Sequence, residues 1–277
     1  MRKALWKKWR KQVMSMVFVA ALGAPVLWGQ SKKPIFLSAD EVQLAAPKIG
    51  MDSMLFKKSG TLQMSTSQGA TIRYTLDGTE VGPTSSEYSG PLVISHTVQL
   101  RAMAFHPDYK PSVEQIVNLR KIHSDISSAE IEVNPLPHEN YLGTGPKTLI
   151  NGKKGSINFR NGHDWLGFQT EQVEIDLKFM QALLLEKVVL SVLQDQGSWI
   201  FSPNHISINY KGLEIGSKTI EDCGEEANKK MDFIEIPIKN AVYDQLKITV
   251  ESLDQIPSWH PGKGTKPWLF MDEILVE

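Results

Sequence analysis

The chain has 277 residues and a formal charge of −1, from 30 basic and 31 acidic side chains. That balance excludes the basic footprint of a nucleic-acid-binding domain. A single cysteine excludes an intramolecular disulfide, so the fold must be held by its core, and the length admits one or two domains.

The first segment, "MRKALWKKWRKQ", is basic, and "VMSMVFVAALGAPVLWG" after it is apolar and short. This is the layout of a secretory signal peptide over residues 1–29, with cleavage after Ala24 or Gly29. An uncleaved anchor is the alternative, although the apolar run is shorter than the roughly 20 residues a span needs. No cysteine directly succeeds the run, which counts against a lipid anchor. The chain is therefore expected to be secreted, periplasmic or at the cell surface. Cys223 lies in "EDCGEE", where acidic neighbours raise a thiol pKa, so an unpaired loop thiol is expected rather than a nucleophile.

From 36 to 120 the pattern has period two. In "ATIRYTLDGTE", Ile72, Tyr74 and Leu76 share one face and Thr71, Arg73 and Thr75 the other. Asp77-Gly78 then predicts a hairpin turn, because Gly tolerates positive φ. In "TVQLRAMAF", Val98, Leu100, Ala102 and Ala104 alternate again. Short strands at this spacing predict a small β-sandwich. Residues 121–147 are rich in Pro, Gly, Ser and Asn and read as a linker, part of which can form the first strand of the next module. From 148 to 277 the segments "QVEIDLKF", "KVVLSVLQ", "HISINYKG", "FIEIPI" and "QLKITVES" alternate, and "PWLFMDEILVE" closes the chain. Strands without a convincing helix predict a second β-sandwich or jelly roll, and the whole as an all-β, two-sandwich chain.

Several motifs carry a family resemblance. Ile72-Arg73-Tyr74-Thr75, Asp77-Gly78, Pro83, Tyr88-Ser89-Gly90-Pro91, Arg101-Ala102 and Tyr109-Lys110-Pro111-Ser112 together resemble the chitobiase/β-hexosaminidase C-terminal domain. That family implies an immunoglobulin- or fibronectin-like sandwich, accessory to carbohydrate-active enzymes and without catalytic residues. Val81 departs from the family's pattern and lengthens one loop. "LINGKKGSINFRNGHDWLGF", "LQDQGSWIFSPNHI" and "IPSWHPGKGTKPWLFMDEILVE" are similar, in that order, to the galactose-binding-like, discoidin-type tail of Bacteroidota β-hexosaminidases. The chain thus looks like such an accessory tail without the catalytic barrel.

Asp272-Glu273 resembles the adjacent acid pair of family-20-like hexosaminidases, in which Glu is the general acid and Asp orients the substrate's acetamido group. The context differs, since the pair sits on a final strand and a (β/α)₈ barrel needs about 250 residues. Alternation on a strand also predicts that the two point to opposite faces. The seven histidines do not cluster, and no H-E-x-x-H, G-x-S-x-G or P-loop occurs. No catalytic residue is assigned, and no enzyme activity is expected.

Sugar binding by a sandwich uses exposed aromatic rings bordered by amide, acid and base side chains. Trp199 in "DQGSWIFSPN" and Trp259-His260 in "PSWHPGKGTKP" fall in loop-like segments, with Gln194, Asp195, Gln196, Asn204 and Lys263 available for hydrogen bonds. The competing reading is that the rings pack inward. Trp165 and Trp268, next to apolar strand residues, are expected in the core. The discoidin-type resemblance further implies a structural Ca²⁺, whose ligands here would be Asn151, Ser156 and Glu273. Asn151 stands where the family usually has Asp, and Lys153 and Lys154 adjoin it, which counts against a cation.

The first reading is a secreted, non-catalytic carbohydrate-binding or accessory protein that contacts N-acetylhexosamine- or galactose-type glycans. The second is a structural module that holds a cell-surface or catalytic protein partner and has no sugar site. A fragment or partner of a β-N-acetylhexosaminidase is the third.

Overall fold

The computed structural model describes residues 42–67, 69–221, 224 and 229–277. The expected signal segment and Cys223 lie outside the described residues. The described chain is built from strands and short 3₁₀ turns. Among these residues no helix is long and apolar enough to cross a membrane.

The first sandwich has two sheets. β1 (Lys48–Met51), β3 (Gly60–Ser65) and β6 (Leu92–Ile94) form one, in the order β1-β3-β6. β2 (Leu55–Phe56), β4 (Thr71–Thr75), β5 (Ser86–Glu87), β7 (Val98–Phe105) and β8 (Gln115–Lys121) form the other, in the order β2-β8-β7-β4-β5. The inward residues of both meet in one core: Leu62, Met64 and Ile94 face Ile72, Val98, Leu100, Ala102 and Leu119. The alternation read in "TVQLRAMAF" appears directly, with Val98, Leu100, Ala102 and Ala104 buried and the residues between them more open. Gly78 has a φ of 79°, and Asp77 Oδ1 accepts from Thr79 N at 3.1 Å. The chain does turn at Asp77-Gly78, but this is not a two-residue hairpin. Strand pairing resumes only at Ser86 and Glu87, opposite Tyr74 and Arg73. The intervening loop is held by Arg73 Nη1, which donates to Ser85 O at 2.7 Å.

The second sandwich rests on two long strands, β11 (Gln172–Gln194) and β14 (Lys230–Glu251). Each joins two segments that read as separate strands in the sequence. β11 slips register against β14 between Lys178 and Leu183 and again between Leu185 and Lys187. Such irregularities bend a strand and let it cross from one sheet layer to the other. Pro237 lies opposite Lys187 at this point, where a missing donor is tolerated. Before the bend, β11 pairs with β9 (Glu130–Asn134) and with the end of β14, which pairs in turn with β12 (His205–Tyr210), itself paired with β13 (Leu213–Thr219). After the bend, β11 pairs with the start of β14 and with β15 (Leu269–Val276), which pairs with β10 (Leu166–Phe168). The segment expected as a linker therefore contributes β9 to this sheet. Inward residues of both halves, among them Val173, Ile175, Leu177, Val188, Leu190, Val192, Ile248 and Ile274, form a single core.

Past the bend, β11 is buried on its other face as well. Val189 packs with Leu275 against Leu55 and Ile122 of the first sandwich, with Phe233 beside them. Arg120 crosses the same junction. Its Nη2 lies 2.7 Å from Glu235 Oε1 and 3.0 Å from Glu277 Oε1, and Lys187 Nζ completes the ring at 3.2 Å and 3.0 Å from the same two carboxylates.

Candidate functional site

Two connections at the β11–β12 and β14–β15 ends carry the aromatic residues singled out in the sequence. In the first, Asp195 and Ile200 bond each other's backbones at 3.0 Å in both directions, closing a tight loop around Gln196–Ser198. Trp199 must then turn the chain, and it does so with φ 63° and ψ 25°, a left-handed conformation unusual for a large side chain. Trp199 O accepts from Trp268 N at 2.8 Å and Phe201 N donates to Trp268 O at 3.0 Å, which ties this loop to the second one. Trp199 is 42% exposed. It lies against Gly262, where even a methyl group would sit 3.0 Å from Trp199 Cε2. The ring is therefore supported from below by backbone and open to solvent.

His260 is not beside it as a free hydrogen-bonding group. It is buried; Nδ1 accepts from Gly262 N at 3.0 Å and Nε2 lies 3.0 Å from Gln196 O. That arrangement fixes the tautomer with Nε2 as donor, and both nitrogens serve the loop. Trp259 is half-buried, with its ring 6.4 Å from Phe201 and 5.5 Å from His260. Gln194 is buried, and its Oε1 accepts from Ser202 Oγ at 3.4 Å. Asn204 is exposed at the head of β12, where its N–H donates to Glu251 O at 2.7 Å. Of the five candidates, Trp199 and Asn204 are open to solvent, whereas His260 and Gln194 brace the loops from inside.

Other polar groups border Trp199 instead. Arg160 Nη2 donates to Ser198 Oγ at 3.1 Å, Ser198 Oγ donates to Asp195 Oδ2 at 3.0 Å, and Lys229 Nζ lies 3.2 Å from the same carboxylate oxygen. Trp268 is half-buried, with His138 5.1 Å and Tyr141 5.4 Å from its ring, both edge-on. Arg160, His138 and Tyr141 are not legible as candidates in the sequence. They stand in short 3₁₀ turns and connecting segments far away along the chain, and only the sheet brings them to this end.

Trp165, by contrast, is fully buried; its Nε1 donates to Ser156 O at 2.8 Å. Lys154 Nζ lies 4.3 Å from the Trp165 ring and 2.7 Å from Asp272 Oδ2. Asp272 and Glu273 do not point to opposite faces as alternation predicts. In the ladder Ser191 pairs with Glu273 and Val192 with Met271, which leaves Asp272 as the extra residue of a β-bulge. Both carboxylates consequently reach the same loop. Asp272 Oδ2 accepts from Gly155 N, and Glu273 Oε2 accepts from Gly152 N at 2.8 Å and Lys153 N at 3.2 Å.

The pair is 0% and 1% exposed, so no substrate bond can reach it. Burial and the adjacent Asp272 charge push Glu273 up to about 9, which holds it as a neutral acid. Burial also pushes Asp272 up and Lys154 down, and their mutual contact opposes both shifts.

The residues implied for Ca²⁺ do not fit that ion. Ca²⁺ needs about six to eight converging oxygens. Asn151 Oδ1 is turned to Lys153 N at 2.7 Å, and Ser156 Oγ lies 3.3 Å from Asn158 O on the surface. Glu273 is buried and faces backbone N–H donors, sharing Lys153 N with Asn151 Oδ1 rather than aiming its oxygens with Asn151 and Ser156 at a common point. A lysine ammonium already stands among the acids. Among the described residues, no group of three or more His, Cys, Asp or Glu is placed to hold a metal ion.

Residues 52–116 match the family model of the chitobiase/beta-hexosaminidase C-terminal domain. No curated protein matches the chain by sequence. Among solved structures, the C-terminal domain of a chitobiase from Bacteroides fragilis is similar at 14% identity, covering 56% of this chain and 95% of that one with a TM-score of 0.36. The module CpGH89CBM32-5 from Clostridium perfringens, in complex with GalNAc-beta-1,3-galactose, is similar at 12% identity, covering 55% and 96% with a TM-score of 0.36. A SusE-like protein covers 83% of this chain and 95% of its own at 10% identity and the same TM-score, 0.36. The match over 52–116 falls on the strands of the first sandwich, which is thus similar to the chitobiase/beta-hexosaminidase C-terminal domain, and a second all-β sandwich succeeds it.

Proposed function

We propose that this protein is an exported, non-catalytic accessory protein that binds glycans through the Trp199 end of its second sandwich. The observation that carries this reading is Trp199, exposed on a left-handed backbone with its indole seated on Gly262. A pyranose stacks its apolar face on such a ring. Arg160, Ser198 and Asp195 supply donors and acceptors beside it for sugar hydroxyls. The accessory role is supported by the family match over 52–116. Against catalysis by the Asp272-Glu273 pair stands its complete burial against its own loop.

The test is a glycan array probed with the chain, using N-acetylglucosamine-, N-acetylgalactosamine- and galactose-terminated glycans. Weak binding is expected, reduced at least about tenfold in Trp199→Ala with the melting curve retained. Binding unchanged in that variant sinks the reading, and hydrolysis of a chromogenic N-acetylglucosaminide by the pure chain sinks the non-enzyme part. A protein-holding module is the second reading. Met180, Leu184 and Val242 favour it, since they lie exposed where β11 and β14 bend.

A further inference from the structure

We infer that Lys154 is an internal counter-cation: its ammonium does from within the chain what a bound metal ion would do, fixing the 151–156 loop to β15. The inference is independent of sugar binding. It begins from the bulge at Asp272, which turns two adjacent carboxyl groups into one buried pocket. Such a pocket is costly unless its charge is matched and its oxygens are bonded.

The loop that covers the pocket provides both. Gly152, Lys153 and Gly155 aim backbone N–H groups at the carboxyls, and Lys154 places its ammonium 2.7 Å from Asp272 Oδ2. The ammonium is walled by Trp165 at 4.3 Å and by Phe233 at 5.6 Å, so aromatic faces take the place of water around it. Gly155 has no room for a side chain, because a Cβ would lie 2.6 Å from Trp165 Cε2. These four donors belong to one short loop, and both acceptors belong to one strand.

The same contacts reach the junction between the sandwiches. Phe233 receives Lys154 on the loop side, and Arg120 lies 5.5 Å from the same ring. The loop itself packs on Ile122, whose Cδ1 would be 3.3 Å from a Cβ at Gly152.

The experiment is thermal unfolding of the full chain. Wild type is expected to melt at the same temperature with Ca²⁺ as with EDTA. Lys154→Met keeps the stem and removes the charge; it is expected to lower Tm by roughly 6 to 20 °C. Lys154→Met combined with Asp272→Asn is expected to recover at least half of that loss, because the uncompensated charge is then gone. A Tm raised by Ca²⁺ or lowered by EDTA overturns the inference, as does a Lys154→Met chain that melts within about 1 °C of wild type. Should Lys154→Met not fold at all, recovery of a folded chain in the double variant supports the inference, and failure of both overturns it.

Discussion

Trp165 and Trp199 lie in the same sandwich, each in a connection beside the strand ladder, and they have opposite fates. Trp165 lies under a lysine, its Nε1 hydrogen-bonded and its ring fully covered. Trp199 sits on a glycine backbone with much of its ring open. The difference comes from what the chain places above each ring. Over Trp165 a loop is drawn down by two buried carboxyls; at Trp199 the neighbouring loop passes beneath, and its His260 is occupied with backbone. One indole serves as core and the other is open to solvent, as their neighbours in the sequence suggest: Trp165 adjoins the apolar strand residues of "WLGF", and Trp199 stands in the loop-like "DQGSWIFSPN".

The largest effect that separates them is on stability. Trp165→Ala should cost about 3–5 kcal/mol, because it empties a filled core position and removes the wall beside Lys154. Urea unfolding measures this, and a loss under about 1 kcal/mol would remove Trp165 from the core account. Next is Gly155→Ala, which should cost about 1–3 kcal/mol by forcing a methyl group into Trp165.

A smaller, pH-dependent effect belongs to the junction. Burial raises the Glu235 carboxyl, but its contacts with Arg120 and Lys187 outweigh this and leave it below its ordinary 4.5. Its contribution is therefore present above 4.5 and is lost as pH falls through the lower folded-state value. The Tm difference between wild type and Glu235→Gln should shrink on acidification, and a gap that widens toward acid would reverse the sign. The smallest stability effect is expected for Trp199→Ala, within about 1 kcal/mol, since the ring covers little that is not already closed by backbone.

Much of the fold is legible in the sequence because it depends on alternation. Ile72, Leu100, Val173, Val188 and Leu190 face inward as their spacing requires, and Gly78 turns the chain where Asp77-Gly78 stands. The candidate site is less legible, for reasons of register and distance. The shared pocket of Asp272 and Glu273 depends on a slip against Ser191 and Val192, residues about 80 positions away, a pairing that period-two reading does not contain. The burial of Lys154 results from that slip. The roles of His260 and Gln194 come from loop hydrogen bonds to Gln196, Gly262 and Ser202, and those partners are not implied by residue type. The joining of two apparent strands into β11 likewise depends on where β14 bends beside it.

The most direct test of the central claim tracks the indole N–H signals of the isotope-labelled chain by NMR while a bound glycan is titrated in, with Trp199→Phe and Trp165→Phe used for assignment. The Trp199 signal is expected to shift progressively with sugar while the Trp165 signal stays in place. Binding that leaves Trp199 unmoved would contradict the claim.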